Sequence, residues 1–74
     1  MIADNKMIQN DPPKEKIKSI LELFNSNKLI ETKKEIDKQL VAYPKSSVLF
    51  NILGAVFFGQ NKLQEALSNY NKSI

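Results

Sequence analysis

The chain has 74 residues, a formal net charge of +3, no cysteine and no histidine. That length allows at most one small domain, which buries only about 60% of its unfolded surface, so marginal stability is expected. The missing residue types exclude disulfides, thiolate zinc sites, imidazole bases and every Ser/His or Cys/His nucleophile pair.

Residues 1–11 are polar apart from a few apolar residues such as Met7 and Ile8, and read as a flexible lead-in. Asp11-Pro12-Pro13 then opens the fold. Proline is tolerated in a first helical turn, whose amides have no intrahelical acceptor, and Asp11 is placed to cap it. A first helix is expected from about Lys14 to Asn25. Its apolar residues Ile17, Ile20, Leu21 and Phe24 fall at i, i+3, i+4 and i+7, one amphipathic stripe. Asn25-Ser26-Asn27 carries turn chemistry.

A second helix is expected from about Lys28 to Tyr43, with Leu29, Ile36 and Leu40 on one face. Pro44 stops it, because proline cannot extend the hydrogen-bond ladder and disfavours helical backbone at Tyr43. Lys45-Ser46-Ser47 opens a third helix reaching about Phe58, with either serine able to cap. Gly59-Gln60-Asn61 forms the next turn. A fourth helix runs from Lys62 or Leu63 to the end, with Leu63, Ala66, Leu67, Tyr70 and Ile74 on its apolar stripe. No segment alternates with period two for long enough to make a strand. The fold class is therefore all-α, with four helices in two antiparallel hairpins.

The chain repeats itself at a spacing of 34 residues. Asn27-Lys28-Leu29 returns as Asn61-Lys62-Leu63, Glu31 returns as Glu65, Leu23-Phe24 becomes Phe57-Phe58, and Ile36 becomes Tyr70. A period of this size marks stacked helical units rather than one closed globule.

The acids Glu15, Glu22, Glu31, Glu35, Asp37 and Glu65 are spread among lysines, as on a solvated face. No catalytic, cofactor-binding or metal-ligating set is expected from them. The eleven basic residues are all lysine. Arginine, the favoured residue for bidentate phosphate and base recognition, is missing, and no basic run is long enough to neutralise many phosphates. Nucleic acid is therefore not the expected partner. The most apolar window, Val48 to Gly59, is too short to cross a bilayer and contains Asn51. No stretch of signal-peptide length precedes it in Met1 to Asn10. The expectation is a cytoplasmic protein without membrane contact. Abundant Lys, Asn and Ile with no Arg hint at A/T-rich coding and a bacterial source.

Two 34-residue helical pairs, with Pro44 just before the second, resemble the tetratricopeptide repeat. Phe50, Leu53-Gly54 and Phe57 look like the family's signature on the first helix of a repeat. Leu63, Glu65-Ala66 and Tyr70 look like its signature on the second helix, and Pro44 like its inter-repeat proline. The resemblance implies a degenerate N-terminal repeat over 12–44 that caps the array, and a second repeat over 45–74. It also implies a right-handed α-solenoid, of which this chain would be the truncated beginning. Gly54 is expected to face Ala66 at a close helix crossing, because glycine costs about 1 kcal/mol relative to alanine inside a helix and something must offset that. Asn27 and Asn61 stand where the family usually has glycine, and asparagine also enters the left-handed region.

The first repeat departs from the pattern. Lys16, Ser19 and Ile20 stand where Phe50, Leu53 and Gly54 stand in the second, so its apolar stripe lies one residue later. Either its first helix is rotated by about 100°, or its turn is one residue tighter.

The resemblance also implies a groove for an extended peptide, lined by the first helix of each repeat. Its candidate residues are Val48, Asn51, Ala55 and Phe58 on the third helix, and Lys14, Ile17, Leu21 and Phe24 on the first. Family members that clamp a C-terminal carboxylate use lysine and asparagine there. Ile17 and Leu21 stand at the corresponding places, so no such clamp is expected. Asn51 is either a donor to a peptide backbone or a solvated helix residue. Phe57 and Phe58 lie about 100° apart around their helix. Phe58 therefore either anchors a partner or packs on Phe24, Met7, Ile8 or a following repeat. The expected function is a non-catalytic protein-interaction module, with a protein or peptide partner. The alternatives are an accessory segment of a larger bacterial enzyme of glycosyltransferase or sulfotransferase type, and a homo-oligomerising spacer that associates through its C-terminal helix.

Overall fold

The computed structural model describes residues 10–74, so the expected lead-in over 1–11 falls almost wholly outside the described residues. Among these residues there are four helices and no strand: α1 (Lys14–Asn25), α2 (Leu29–Ala42), α3 (Ser47–Gly59) and α4 (Leu63–Ser73). α1 packs on α2, α3 packs on α4, and α3 also packs on α2. The helix ends fall within a residue or two of those expected from the sequence.

The two hairpin turns are copies of one another. The Asn27 and Lys28 amides donate to the Phe24 and Leu23 carbonyls at 2.9 and 3.0 Å, and the Asn61 and Lys62 amides donate to those of Phe58 and Phe57 at 3.0 and 2.8 Å. These six-to-one and five-to-two bonds close a helix whose following residue is left-handed. That residue is Asn27 at φ 62° in the first hairpin and Asn61 at φ 63° in the second. The 34-residue sequence period is thus reproduced in these turn bonds and in the left-handed asparagine.

Both turns have the same length, so the first is not one residue tighter. Of the α1 equivalents of Phe50, Leu53, Gly54 and Phe57, Lys16, Ile20 and Leu23 are half-buried or buried, whereas Ser19, the equivalent of the buried Leu53, is exposed. Ile20 fills the position of Gly54, while Ile17 and Phe24 pack beside it on the common core.

That core joins Ile20 of α1, Ile36 of α2 and Leu49, Ile52, Leu53 and Val56 of α3. Leu29, Leu40, Tyr43, Val48 and Phe57 pack against it. At about 25 cal/mol per Å2 of apolar area, burying one such aliphatic side chain is worth about 2 kcal/mol. Thr32 is also fully buried. Its hydroxyl donates to the Lys28 carbonyl at 2.7 Å, which satisfies the one polar group it takes inside. Thr32 stands 34 residues before Ala66, itself buried, so both hairpins place a small residue at this point.

Asp11 does not cap α1. Pro13 holds the N-cap position, and no side chain bonds to the first turn. The Asp11 carboxylate instead accepts a hydrogen bond from the Ser46 hydroxyl. Ser46 is the N-cap of α3, and its oxygen accepts from the Leu49 amide at 3.1 Å. The residue expected to start the first hairpin therefore ties down the start of the second. Pro44 is exposed in the link between hairpins, and Tyr43 before it leaves the helical region at φ −130°, ψ 67°, as a residue preceding proline must.

Gly54 sits at a close crossing, and the atoms nearest to it there belong to Tyr70, one turn beyond the expected Ala66. A Cβ added at Gly54 would fall 2.7 Å from both Cδ1 and Cε1 of Tyr70 and 3.1 Å from its Cγ. The aromatic ring, not a bare backbone, occupies the space that the glycine leaves. No helix among the described residues is long and apolar enough to cross a membrane.

Candidate functional site

Superposing the repeat on itself separates covered from uncovered surface. The α3 residues Leu49, Ile52 and Val56 are buried against the first hairpin. Their equivalents on α1 are Glu15, Lys18 and Glu22, all exposed. The same face of the repeat is apolar and buried on α3, where it meets the first hairpin, and charged and exposed on α1. α1 therefore carries a polar outer face.

The opposite end shows the converse. In the first hairpin Phe24, Leu29 and Leu40 are half-buried and pack on the core shared with α3. Their equivalents in the second hairpin are Phe58, Leu63 and Ile74. Phe58 is 63% exposed, Leu63 56%, and Ile74 wholly exposed. Leu67 beside them is 62% exposed. Phe58, Leu63, Ala66, Leu67 and Tyr70 line one open groove of about 300 Å3. Leu63 and Leu67 also border a second hollow, completed by Gln64, Ser68 and Asn71. Phe58 thus belongs to an exposed apolar surface shared with α4. Met7 and Ile8, considered as its packing partners, lie outside the described residues.

The eight residues expected to line a peptide groove are not gathered into one cavity. Lys14, Asn51 and Phe58 are exposed, Leu21 is exposed at its edge, and Ile17, Phe24, Val48 and Ala55 are half-buried. Val48 and Asn51 line a shallow hollow with Ser47 and Ser73. Ile17, Phe24 and Val48 spend much of their surface on the core. Of the repeat-signature residues, Leu53, Gly54 and Ala66 are buried, and Phe50, Phe57 and Tyr70 are half-buried.

Two polar devices were not legible in the sequence. Lys16 of α1 pairs with Glu35 of α2 at 3.3 Å, and Gln39 donates to the same carboxylate at 3.1 Å. The Gln39 hydrogen bond, with the Lys16 ammonium beside it, holds the Glu35 carboxyl below the usual carboxylate range. In the second hairpin, lysines lie over aromatic rings. Lys62 Nζ lies 5.9 Å from the Phe57 ring centre, and Lys72 Nζ lies 5.5 Å from that of Phe50, within cation–π range. Among the described residues no group of three or more acidic side chains is placed to hold a metal ion.

Compared with family models, with curated proteins and with solved structures, the chain has no match in any of the three.

Proposed function

We propose that the chain is a non-catalytic protein-interaction module of tetratricopeptide-repeat type, in which the hairpins stack as the start of a right-handed α-solenoid. The observation that carries this reading is the turn that recurs 34 residues on with the same four hydrogen-bonding roles and the same left-handed asparagine. A structural unit whose turn repeats in this way, with a charged face on α1, is the arrangement that stacked repeats require. The partner is an extended peptide lying across the first helices of the two hairpins. Asn51 offers a side-chain amide to its backbone, and Ile17, Leu21, Val48 and Ala55 offer the apolar wall.

Selection from a library of random extended peptides, followed by amide chemical-shift mapping on the isotope-labelled chain, tests the proposal. Selected peptides are expected to shift the amides of Ile17, Leu21, Val48, Asn51 and Ala55, and to bind several-fold more weakly to Asn51→Ala. Failure to enrich any peptide, or shifts confined to α4, would remove the peptide-groove reading.

A further inference from the structure

We infer that α4, with Phe58, is a self-association face on which a second copy of this chain seats its own α4 in an antiparallel, two-fold pair. Phe58, Leu63 and Ile74 of the patch stand where the repeat puts Phe24, Leu29 and Leu40 in the first hairpin, and Leu67 stands where it puts Lys33. In the first hairpin Phe24, Leu29 and Leu40 are half-buried against the core shared with α3, and in the second Phe58, Leu63 and Ile74 stand open.

The chemistry of the patch selects a copy of itself as the occupant. Leu63, Leu67, Tyr70 and Ile74 are spaced by four, three and four residues, the first, second and fourth exposed and Tyr70 half-buried with its ring against Gly54. That spacing is the a/d rhythm of a helix–helix seam, in which each side chain enters a gap of the facing helix. A two-fold contact sets each residue near its own mate, so any net charge in the patch would meet like charge. The side chains lining its two hollows, Phe58, Leu63, Gln64, Ala66, Leu67, Ser68, Tyr70 and Asn71, are all uncharged. The lysines that flank the seam, Lys62 and Lys72, lie over the Phe57 and Phe50 rings of α3. In a chain of net charge +3, an uncharged face is the surface on which two copies meet at least electrostatic cost. Head-to-tail stacking is disfavoured, because the other end of the molecule presents Glu15, Lys18 and Glu22 to solvent. The contact closes at two copies rather than growing.

Sedimentation equilibrium of the chain across micromolar to millimolar concentration tests this. The apparent mass is expected to rise from one copy to two and then stop. Leu67 is mostly exposed and lies near the middle of the seam, so Leu67→Glu and Leu67→Lys should each keep the helical circular dichroism of the parent yet remain monomeric. An equimolar mixture of the two variants should dimerise again, because an antiparallel pair brings the new carboxylate near the new ammonium. A parent that is monomeric at every concentration, or that grows past two copies, overturns the inference. So does a folded Leu67→Glu that dimerises like the parent, or a variant mixture that stays monomeric.

Discussion

Gly54 of α3 lies so close to Tyr70 of α4 that even a methyl group at the glycine would overlap the phenol ring, at 2.7 Å from two of its carbons. The same crossing in the first hairpin is filled by Ile20 and Ile36, both fully buried. One hairpin pairs the smallest residue with a large ring, and the other pairs two aliphatic chains of equal size. Gly54→Ile alone should overpack the crossing, and Tyr70→Ile alone should leave it underfilled, each losing about 1 to 3 kcal/mol. The double variant copies the first hairpin. It is expected to be more stable than the sum of the single losses, with a coupling of about 1 kcal/mol or more. Urea midpoints of the four proteins close the cycle, and strict additivity would mean that the two side chains do not share the crossing.

Ser46 gives a second, independent measure. Its hydroxyl oxygen accepts from the Leu49 amide and its proton goes to the Asp11 carboxylate, so one buried atom both caps α3 and anchors the chain before α1. Ser46→Ala removes both bonds and should cost about 1 to 2 kcal/mol in a urea melt. Asp11→Ala leaves the cap itself intact and should cost less. If the two variants lose equally, the cap contributes nothing and the tether alone matters.

Much of this architecture was legible because helices announce themselves locally. The stripe of Ile17, Ile20, Leu21 and Phe24, the stop at Pro44 and the two Asn-Lys-Leu turns all lie within a few residues of the structure they specify. The Asp11–Ser46 bond joins residues far apart in the chain, and no local rule points to it; a rule for caps assigned Asp11 to the nearest helix instead. The ring that lies nearest to Gly54 is hidden from the sequence for a related reason. Periodicity places Ala66 and Tyr70 on the same face of α4, but does not say which turn of that face the glycine meets. The apolar stripe of α4 is legible in the sequence, but that Phe58, Leu63 and Ile74 stand exposed while Phe24, Leu29 and Leu40 are half-buried is a property of the packing.

The turn asparagines should behave as a matched pair. Asn27 and Asn61 hold φ of 62° and 63°, a region that costs an ordinary residue about 1 kcal/mol. Asn27→Ala and Asn61→Ala should each lose about that amount, and Asn27→Gly and Asn61→Gly should lose little. The two sites lie in different turns, so the alanine losses should add. Thermal melts that rank glycine below alanine at either site would contradict a left-handed turn there.

Glu35 links stability to pH. Its folded pKa is lowered by the Gln39 hydrogen bond and by Lys16. A lowered folded pKa stabilises the fold above the unfolded value of about 4.3, and that contribution fades as pH falls through the lowered folded value. The parent should therefore lose stability on acidification more steeply than Glu35→Gln, which keeps the side-chain length but has no charge to titrate. Melting temperatures measured from neutral pH down to about pH 3 check the sign. Parallel curves for the two proteins would show that the carboxylate gains nothing from its partners.

The charged face of α1 contrasts with the apolar face that α3 turns to the first hairpin. Glu15, Lys18 and Glu22 are the equivalents of Leu49, Ile52 and Val56, and all three are exposed. The triple variant Glu15→Leu, Lys18→Ile and Glu22→Val gives α1 the face with which α3 seats on the first hairpin. These sites carry no core packing, so the monomer should keep its helicity. One copy's altered α1 can then seat on the open α4 face of the next. A heterologous contact of this kind does not close on itself, and it propagates into open chains. Light scattering should therefore rise with concentration well past the dimer, and adding Leu67→Glu to the triple variant should abolish the growth by charging the receiving face. A triple variant no larger than the parent at millimolar concentration would show that the α1 and α4 faces are not successive surfaces of one stack.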